Sequence, residues 1–187
     1  MSEIWSVPAG APAPAARQRL LVCLDLQQAG LAGRDSADRC IVNCRRVLGH
    51  AREQGWRIVH VHTKRACPAE ARPIEGLEPL TVEPVVYRSG VSAFSSRAFR
   101  QMVAGPACEL VIIGYSMSSS CLATALVAYD EDLPVTMVED AVSAAPMDPA
   151  TRAAMDLVTR HIAGPFVKLT STQALVGRAP LLRVVPA

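Results

Sequence analysis

Three places in this chain put a reactive or charged side chain at the end of an apolar run. LLVCLD is five apolar residues, Leu20 to Leu24, closed by Asp25; VVYR runs into Arg88; and ELVIIGYSMSSSCLATALVAY (109–129) passes from Leu110–Ile113 through Gly114 into a polar elbow, Tyr115 to Ser120, and on to Cys121. An aspartate can carry a proton, and a serine or cysteine can attack a carbonyl carbon when a neighbouring base takes its proton. An arginine can hold negative charge but cannot serve as a base, because guanidinium keeps its proton in proteins. A small-residue turn that feeds a helix N-terminus aims backbone N–H groups and one side chain at the same point above a sheet. A fourth candidate, RIVHVHT (57–63), sets His60 and His62 on one face of a strand. A metal site generally needs three protein ligands and no third stands nearby, so a hydrogen bond from a histidine to an adjacent loop is the expectation there.

The elements that must position these groups follow from periodicity. The unalternated run 20–24 suits a strand covered on both faces, as in a parallel sheet, and puts Asp25 at its carboxyl end, where open α/β sheets bind ligands; Asp25 could equally cap the loop that follows. Apolar positions from Ala37 to Ala51 recur at helical spacing, with Ser36 as a possible N-cap and Gly55 as a stop. Strands are expected at 57–63, 85–87, 110–113, 134–141 (tipped by Asp140) and 165–169. Helices are expected from Ser95 to about Val103, from Cys121 to about Glu131, and over 148–163, amphipathic, with Asp148 as cap and Pro149 at its first position. Residues 64–84 read as a long loop rich in proline and charge that could cover the site, and 170–187 as a short helix plus an edge segment. Strand and helix alternate throughout, which predicts an α/β fold: a three-layer, doubly wound, mostly parallel sheet of five or six strands. GxGxxG, GxxxxGK[ST] and GxSxG are all absent, which removes the main support for nucleotide-binding and α/β-hydrolase readings.

Composition sets the outer bounds. The 187 residues are 50% apolar and carry a net charge of only +2 with scattered basic residues, so one globular domain is expected and no nucleic-acid partner. Residues 1–18 are rich in Ala and Pro and read as an extension to a single domain over 19–187, although Ile4 and Trp5 could tuck onto the surface or a neighbouring subunit. Cys23, Cys40, Cys44, Cys67, Cys108 and Cys121 form no CxxC pair; Cys40 and Cys44 lie one helical turn apart on an apolar face and read as small buried hydrophobes. With no apolar leader and no run of ~20 apolar residues, a cytoplasmic protein that makes no membrane contact is expected.

Four segments in this order, LLVCLDLQ, VVYRSGVSAF, IIGYSMSSSCLATA and VTMVEDAVSA, resemble the isochorismatase-like or cysteine hydrolase superfamily, and the resemblance covers about residues 18–175. It implies an Asp–Lys–Cys triad at three strand ends, with an aspartate as base for the thiol, a cysteine that attacks an amide-like carbonyl, elbow amides that hold the oxyanion, and a cis peptide after the glycine, here Tyr115–Ser116. It implies no cofactor or metal, a small-molecule substrate, and a homo-oligomer, dimer or tetramer. Carried over, Asp25 is the family aspartate and Gln27 its companion, while Arg88 stands at the lysine position. Counting six on from Gly114 and four back from Thr124–Ala125 both give Ser120 as the nucleophile position, with Cys121 one residue late. Phe94, Tyr115, Ser116 and Cys121 join Gln27 as implied substrate contacts.

Three functions are compatible with that non-standard triad. One is a hydrolase of an amide, C–N or vinyl-ether bond, with Asp25 as acid/base, Arg88 orienting the substrate or its charge, and Ser120 with the elbow amides stabilising or attacking the reacting group. The vinyl-ether chemistry is that of the isochorismatases, which resemble this elbow in lacking cysteine at the nucleophile position. A second uses Cys121 through a shifted elbow. The third is a family member without chemistry that serves as a ligand-binding or assembly protein.

Overall fold

A computed structural model describes residues 18–31, 39–104, 108–143 and 148–177. Six strands make one sheet: β1 (Gln18–Leu24), β2 (Arg57–Thr63), β3 (Val85–Arg88), β4 (Cys108–Tyr115), β5 (Val135–Ser143) and β6 (Lys168–Thr170). Their spatial order is β3-β2-β1-β4-β5-β6, and every neighbouring pair is parallel. The chain starts in the middle and winds outward both ways, which is the doubly wound arrangement expected from the alternating pattern.

The helices are α1 (Arg39–Glu53), a single turn α2 (Pro68–Ala71), α3 (Arg97–Val103), α4 (Leu122–Asp130), α5 (Pro149–Ala163) and α6 (Thr172–Val176). The run in β1 lacks alternation because both of its faces are buried. Leu20, Val22 and Leu24 pack with Phe99, Val103, Met117 and Ala125 on one side, while Leu21 and Cys23 pack with Cys40, Ile41, Cys44, Val47 and Leu48 of α1 on the other. Cys40 and Cys44 are therefore core residues, and the Cys44 thiol donates to the Ala141 carbonyl at 3.1 Å.

Several boundaries differ from expectation for local reasons. β1 begins two residues early, at Gln18, because Gln18 and Arg19 pair with Cys108 and Glu109 of β4. The helix expected from Ser95 splits into a 3-10 turn (Ala93–Ser95) and α3, because Ser96 between them is extended and serves as the α3 cap. The last strand starts at Lys168, since Phe166 and Val167 still donate back to Ala163 as the turn that ends α5. Ser36, most of the Ala/Pro-rich extension and the tail beyond Gly177 lie outside the described residues.

The loop from Lys64 to Pro84 is held rather than loose. Gln28 N–H donates to the Arg72 carbonyl at 2.8 Å and Ile74 N–H to the Leu26 carbonyl at 3.0 Å, and Ile74 and Leu77 are buried. The segment after β1 and this loop thus form one layer beside the carboxyl ends of the strands. No helix among the described residues is long and apolar enough to cross a membrane.

Candidate active site

Register brings the polar strand ends level. Leu24 pairs with Gly114 and with Val61, and Thr63 pairs with Arg88, so Asp25, Thr63, Arg88 and the elbow share one edge of the sheet. Gly114 is what lets β4 lie so close to β1: its φ is +118°, and a Cβ there would sit 2.0 Å from the Leu24 carbonyl oxygen. The next peptide, Tyr115–Ser116, is cis. The chain then forms a π-helical turn, Met117–Cys121, in which Cys121 N–H donates to the Ser116 carbonyl at 3.0 Å, before α4 begins.

Asp25 sits at φ +48°, in the left-handed region that aspartate tolerates better than most residues. Its N–H donates to the Val61 carbonyl, and its own carbonyl accepts from Gln27 N–H at 2.7 Å. These bonds fix the turn that aims the carboxylate inward. Oδ1 accepts from the Thr63 hydroxyl at 2.9 Å. Oδ2 accepts from Arg88 Nε at 3.2 Å, from Arg88 Nη2, and from the Ser120 hydroxyl at 3.3 Å. Arg88 Nη2 also donates to Ser120 Oγ at 3.0 Å, and Nη1 to the Gly90 carbonyl. Three strand ends thus deliver an acid, a guanidinium and a hydroxyl within hydrogen-bond reach of one another, and both Asp25 and Ser120 are buried.

The remaining predicted contacts are placed differently. Gln27 is buried and occupied at both ends, accepting from Thr63 N–H at 3.1 Å and donating to the Ala71 carbonyl at 3.1 Å, so it braces the loop. Phe94 packs edge-on against Phe99 at 5.0 Å with the Arg100 guanidinium 5.5 Å from its ring. The Tyr115 ring is buried against Gly30. Ser116 is half-exposed at the mouth of the elbow. Cys121 belongs to the core and has no exposed surface, and burial together with the Asp25 charge holds its thiol well above the usual range, despite the opposing pull of Arg88. The shifted-elbow alternative therefore finds no accessible thiol: the π-helical turn sends Ser120 toward Asp25 and Cys121 into the sheet-facing packing.

His60 and His62 do not join a third ligand, and no metal-holding cluster occurs among the described residues. His60 Nε2 lies 3.0 Å from Glu83 Oε2 in the loop before β3. His62 is buried beside Asp25 and His60; burial first, then His60, push its pKa down to about 4 against the pull of Asp25, so its ring is neutral at pH 7. Sequence reasoning passed over Thr63 because the histidines drew attention on that strand. The signal was available: Thr63 is polar and terminal on a buried strand, the same property that singled out Asp25.

The fold and this cluster define an α/β protein with its candidate site at the carboxyl edge of a parallel sheet. A family model of the isochorismatase domain matches residues 19–174, and the chain belongs to that family. No match was found among curated proteins. The solved structures it resembles include an isochorismatase from Pseudomonas putida KT2440, with 24% identity and a TM-score of 0.75 over 90% of this chain and 99% of that one. Others are a putative isochorismatase-family hydrolase from Chromobacterium violaceum (20%, TM-score 0.71, 91% and 97%) and a cysteine hydrolase from Pseudomonas syringae pv. phaseolicola (16%, TM-score 0.73, 85% and 91%). At these identities the likeness is one of fold.

Proposed function

We propose that this chain is a hydrolase that cleaves an amide or another C–N bond of a small molecule, with Asp25 as the proton carrier, Ser120 as the attacking or stabilising hydroxyl, and Arg88 as the fixed positive charge. The observation that carries this reading is the meeting of the Ser120 hydroxyl with Asp25 Oδ2 at 3.3 Å while Arg88 Nη2 reaches the same two oxygens. In the step this supports, Ser120 Oγ bonds to the carbonyl carbon as its proton passes to Asp25 Oδ2. The C–N bond then breaks with that proton delivered to the leaving nitrogen. Water, deprotonated by Asp25, cleaves the acyl ester and restores Ser120. Arg88 keeps its proton throughout and stabilises negative charge on Asp25 and, when water cleaves the ester, the charge developing on the departing Oγ, which regains its proton from Asp25.

A vinyl-ether substrate would need Asp25 to arrive as a carboxylic acid. The ion pair with Arg88 needs it as a carboxylate, so the C–N reading is the better supported of the two. The setting that fits is the cytoplasm, in keeping with six free cysteines of which five are buried.

Turnover of a panel of amides, ureas and isochorismate by the wild type and by Asp25→Ala tests the proposal. At least one amide or urea should be hydrolysed, with a loss of about 10²–10⁴-fold in the variant, the usual contribution of a positioned acid/base. A wild type inert across the panel, or turnover that survives without Asp25, defeats it.

A further inference from the structure

Strand β2 crosses the sheet from edge to edge, with Thr63 beside Asp25 at its carboxyl end and Arg57 at its start. At that far, amino-terminal edge lies a concavity of about 460 Å³, within the roughly 300–1,000 Å³ of small-molecule sites. Leu20 and Ile58 give it a buried apolar floor, and the half-buried side chains of Trp56 and Met102 stand beside them. Leu80 and Val82 line it as well, yet remain 49% and 86% exposed. Isolated exposed apolar side chains are ordinary, but these two border a concavity that is already apolar inside.

The wall that carries Leu80 and Val82 is fixed. Glu83, next along the loop, accepts from Arg52 Nε and Nη2 at 2.8 and 2.9 Å and from Leu80 N–H at 2.9 Å. These bonds preform the wall and spare a ligand the cost of ordering it. They also balance the charges of Arg52 and Glu83 against each other. Nearby, Arg19 lies over the Trp56 ring at 4.8 Å and is paired in turn with Glu109 at 3.0 Å. Arg57 differs: it has no carboxylate partner among the described residues and donates from Nη2 to the Met102 carbonyl at 2.9 Å. Both residues line the concavity, so that bond holds the guanidinium at its wall while Nε and Nη1 are left as donors. The lining therefore has one unbalanced positive charge in largely apolar surroundings. A fork-shaped cation beside apolar walls complements one carboxylate on an apolar body, whereas a phosphate dianion would find one countercharge for two.

We propose that this concavity binds a small monocarboxylate with an apolar body, its carboxylate on Arg57 and its body against Leu20, Trp56, Ile58 and Val82. The site opens at the opposite edge of the sheet from Asp25 and stands independently of the chemistry there.

Titration of the isotope-labelled protein with sodium cinnamate, followed by amide and indole N–H resonances, tests this. The chain has two tryptophans, Trp5 and Trp56, and Trp56→Phe assigns the indole signals. The Trp56 indole and the Ile58 and Val82 amides should move together on one saturating curve, while Thr63 and Ser120 stay in place. The Kd should lie below about 1 mM, the scale for a molecule of that size. Cinnamyl alcohol, the same body without the charge, should bind about tenfold more weakly, near the worth of one bond to a charged group. Arg57→Gln should weaken cinnamate by about the same factor and bring acid and alcohol level. Val82→Asp, at an exposed position that folding tolerates, should weaken the acid more than the alcohol, and Arg97→Gln, an exposed arginine on α3, should change neither. No saturable shift at Trp56, shifts centred on Thr63 and Ser120, or cinnamate affinity that survives both Arg57→Gln and Val82→Asp overturns the proposal.

Discussion

Glu83 and Asp25 are both buried carboxylates gripped by an arginine, one before the amino end of β3 and the other after the carboxyl end of β1. Around Glu83 every partner is structural: Arg52 donates through Nε and Nη2 at 2.8 and 2.9 Å, Leu80 N–H donates at 2.9 Å, and His60 closes the set at 3.0 Å. Burial raises the Glu83 pKa, but the bonds from Arg52, Leu80 and His60 outweigh it and bring it down to about 2. That cluster locks the loop onto α1 and β2. Around Asp25, one partner is instead a hydroxyl on a turn at the mouth of the sheet, and the arginine is shared between the acid and that hydroxyl. The same acid–arginine pair is a clamp in one place and a candidate reaction centre in the other. What distinguishes them is the third partner and the end of the strand on which they sit.

The sharpest way to break that comparison is to neutralise each acid. Whereas Asp25→Ala is expected to remove activity, Glu83→Gln should leave kcat/KM within about threefold on the same substrate and destabilise the fold by about 3 kcal/mol, the scale for opening a buried pair. Thermal melting beside the assay separates the two effects. A Glu83→Gln variant that melts normally but has lost turnover would erase the distinction.

A smaller effect is expected from pH. His62 has a folded pKa of about 4 against an ordinary 6.5, so below pH 6.5 the unfolded chain takes up a proton that the folded chain refuses. Its stability contribution is therefore complete above pH 6.5 and falls as pH drops toward 4, by on the order of 2–3 kcal/mol. Glu83, at about 2 against 4.5, adds a loss that begins below pH 4.5 and runs toward 2. Urea unfolding across this range should show stability declining from pH 6.5 in the wild type and declining less steeply in His62→Gln, where His60, whose pKa burial also lowers, still contributes. A wild type equally stable at pH 6.5 and 4.5 would contradict the placement of that ring.

The smallest change concerns aim. Thr63→Val removes the hydroxyl that holds Asp25 Oδ1, and kcat should fall about tenfold, near the worth of one hydrogen bond to a charged group. Thr63→Ser should restore most of the rate, which loss of packing alone would not do. Equal rates in Thr63→Val and wild type would mean that Asp25 is positioned by Arg88 and its own backbone.

Much of the architecture was legible because it rests on local rules. Unalternated apolar runs gave the buried strands, helical spacing gave α1 and α5, and Asp148–Pro149 marked the start of α5, where the Asp148 carboxylate does accept from Ala150 and Thr151 N–H. The spacing of the resembled family, counted from Gly114 and from Thr124–Ala125, pointed to Ser120 rather than Cys121, and it is the Ser120 hydroxyl that lies by Asp25. Less was legible where the partner comes from far along the chain. Thr63, Arg88 and Ser120 lie 38, 63 and 95 residues from Asp25, and nothing in their own neighbourhoods says that they meet. The Gln27 side chain ties the end of β2 to the loop, accepting from Thr63 N–H and donating to the Ala71 carbonyl, and the path of that loop is not defined by composition.

The sequence by itself determined the periods, and with them the elements, their order and the right-handed winding that places strand ends together. Tertiary structure decided which side of each period faces inward. In α5, Leu157, Val158 and Ile162 lie exposed although amphipathicity alone would assign them to the core, and among the described side chains of that helix Met155, Thr159 and Ala163 are the ones covered. At the elbow, one residue of π-helical winding turns Ser120 toward Asp25 and buries Cys121, since a rotation of ~100° per residue is enough to exchange pocket for core.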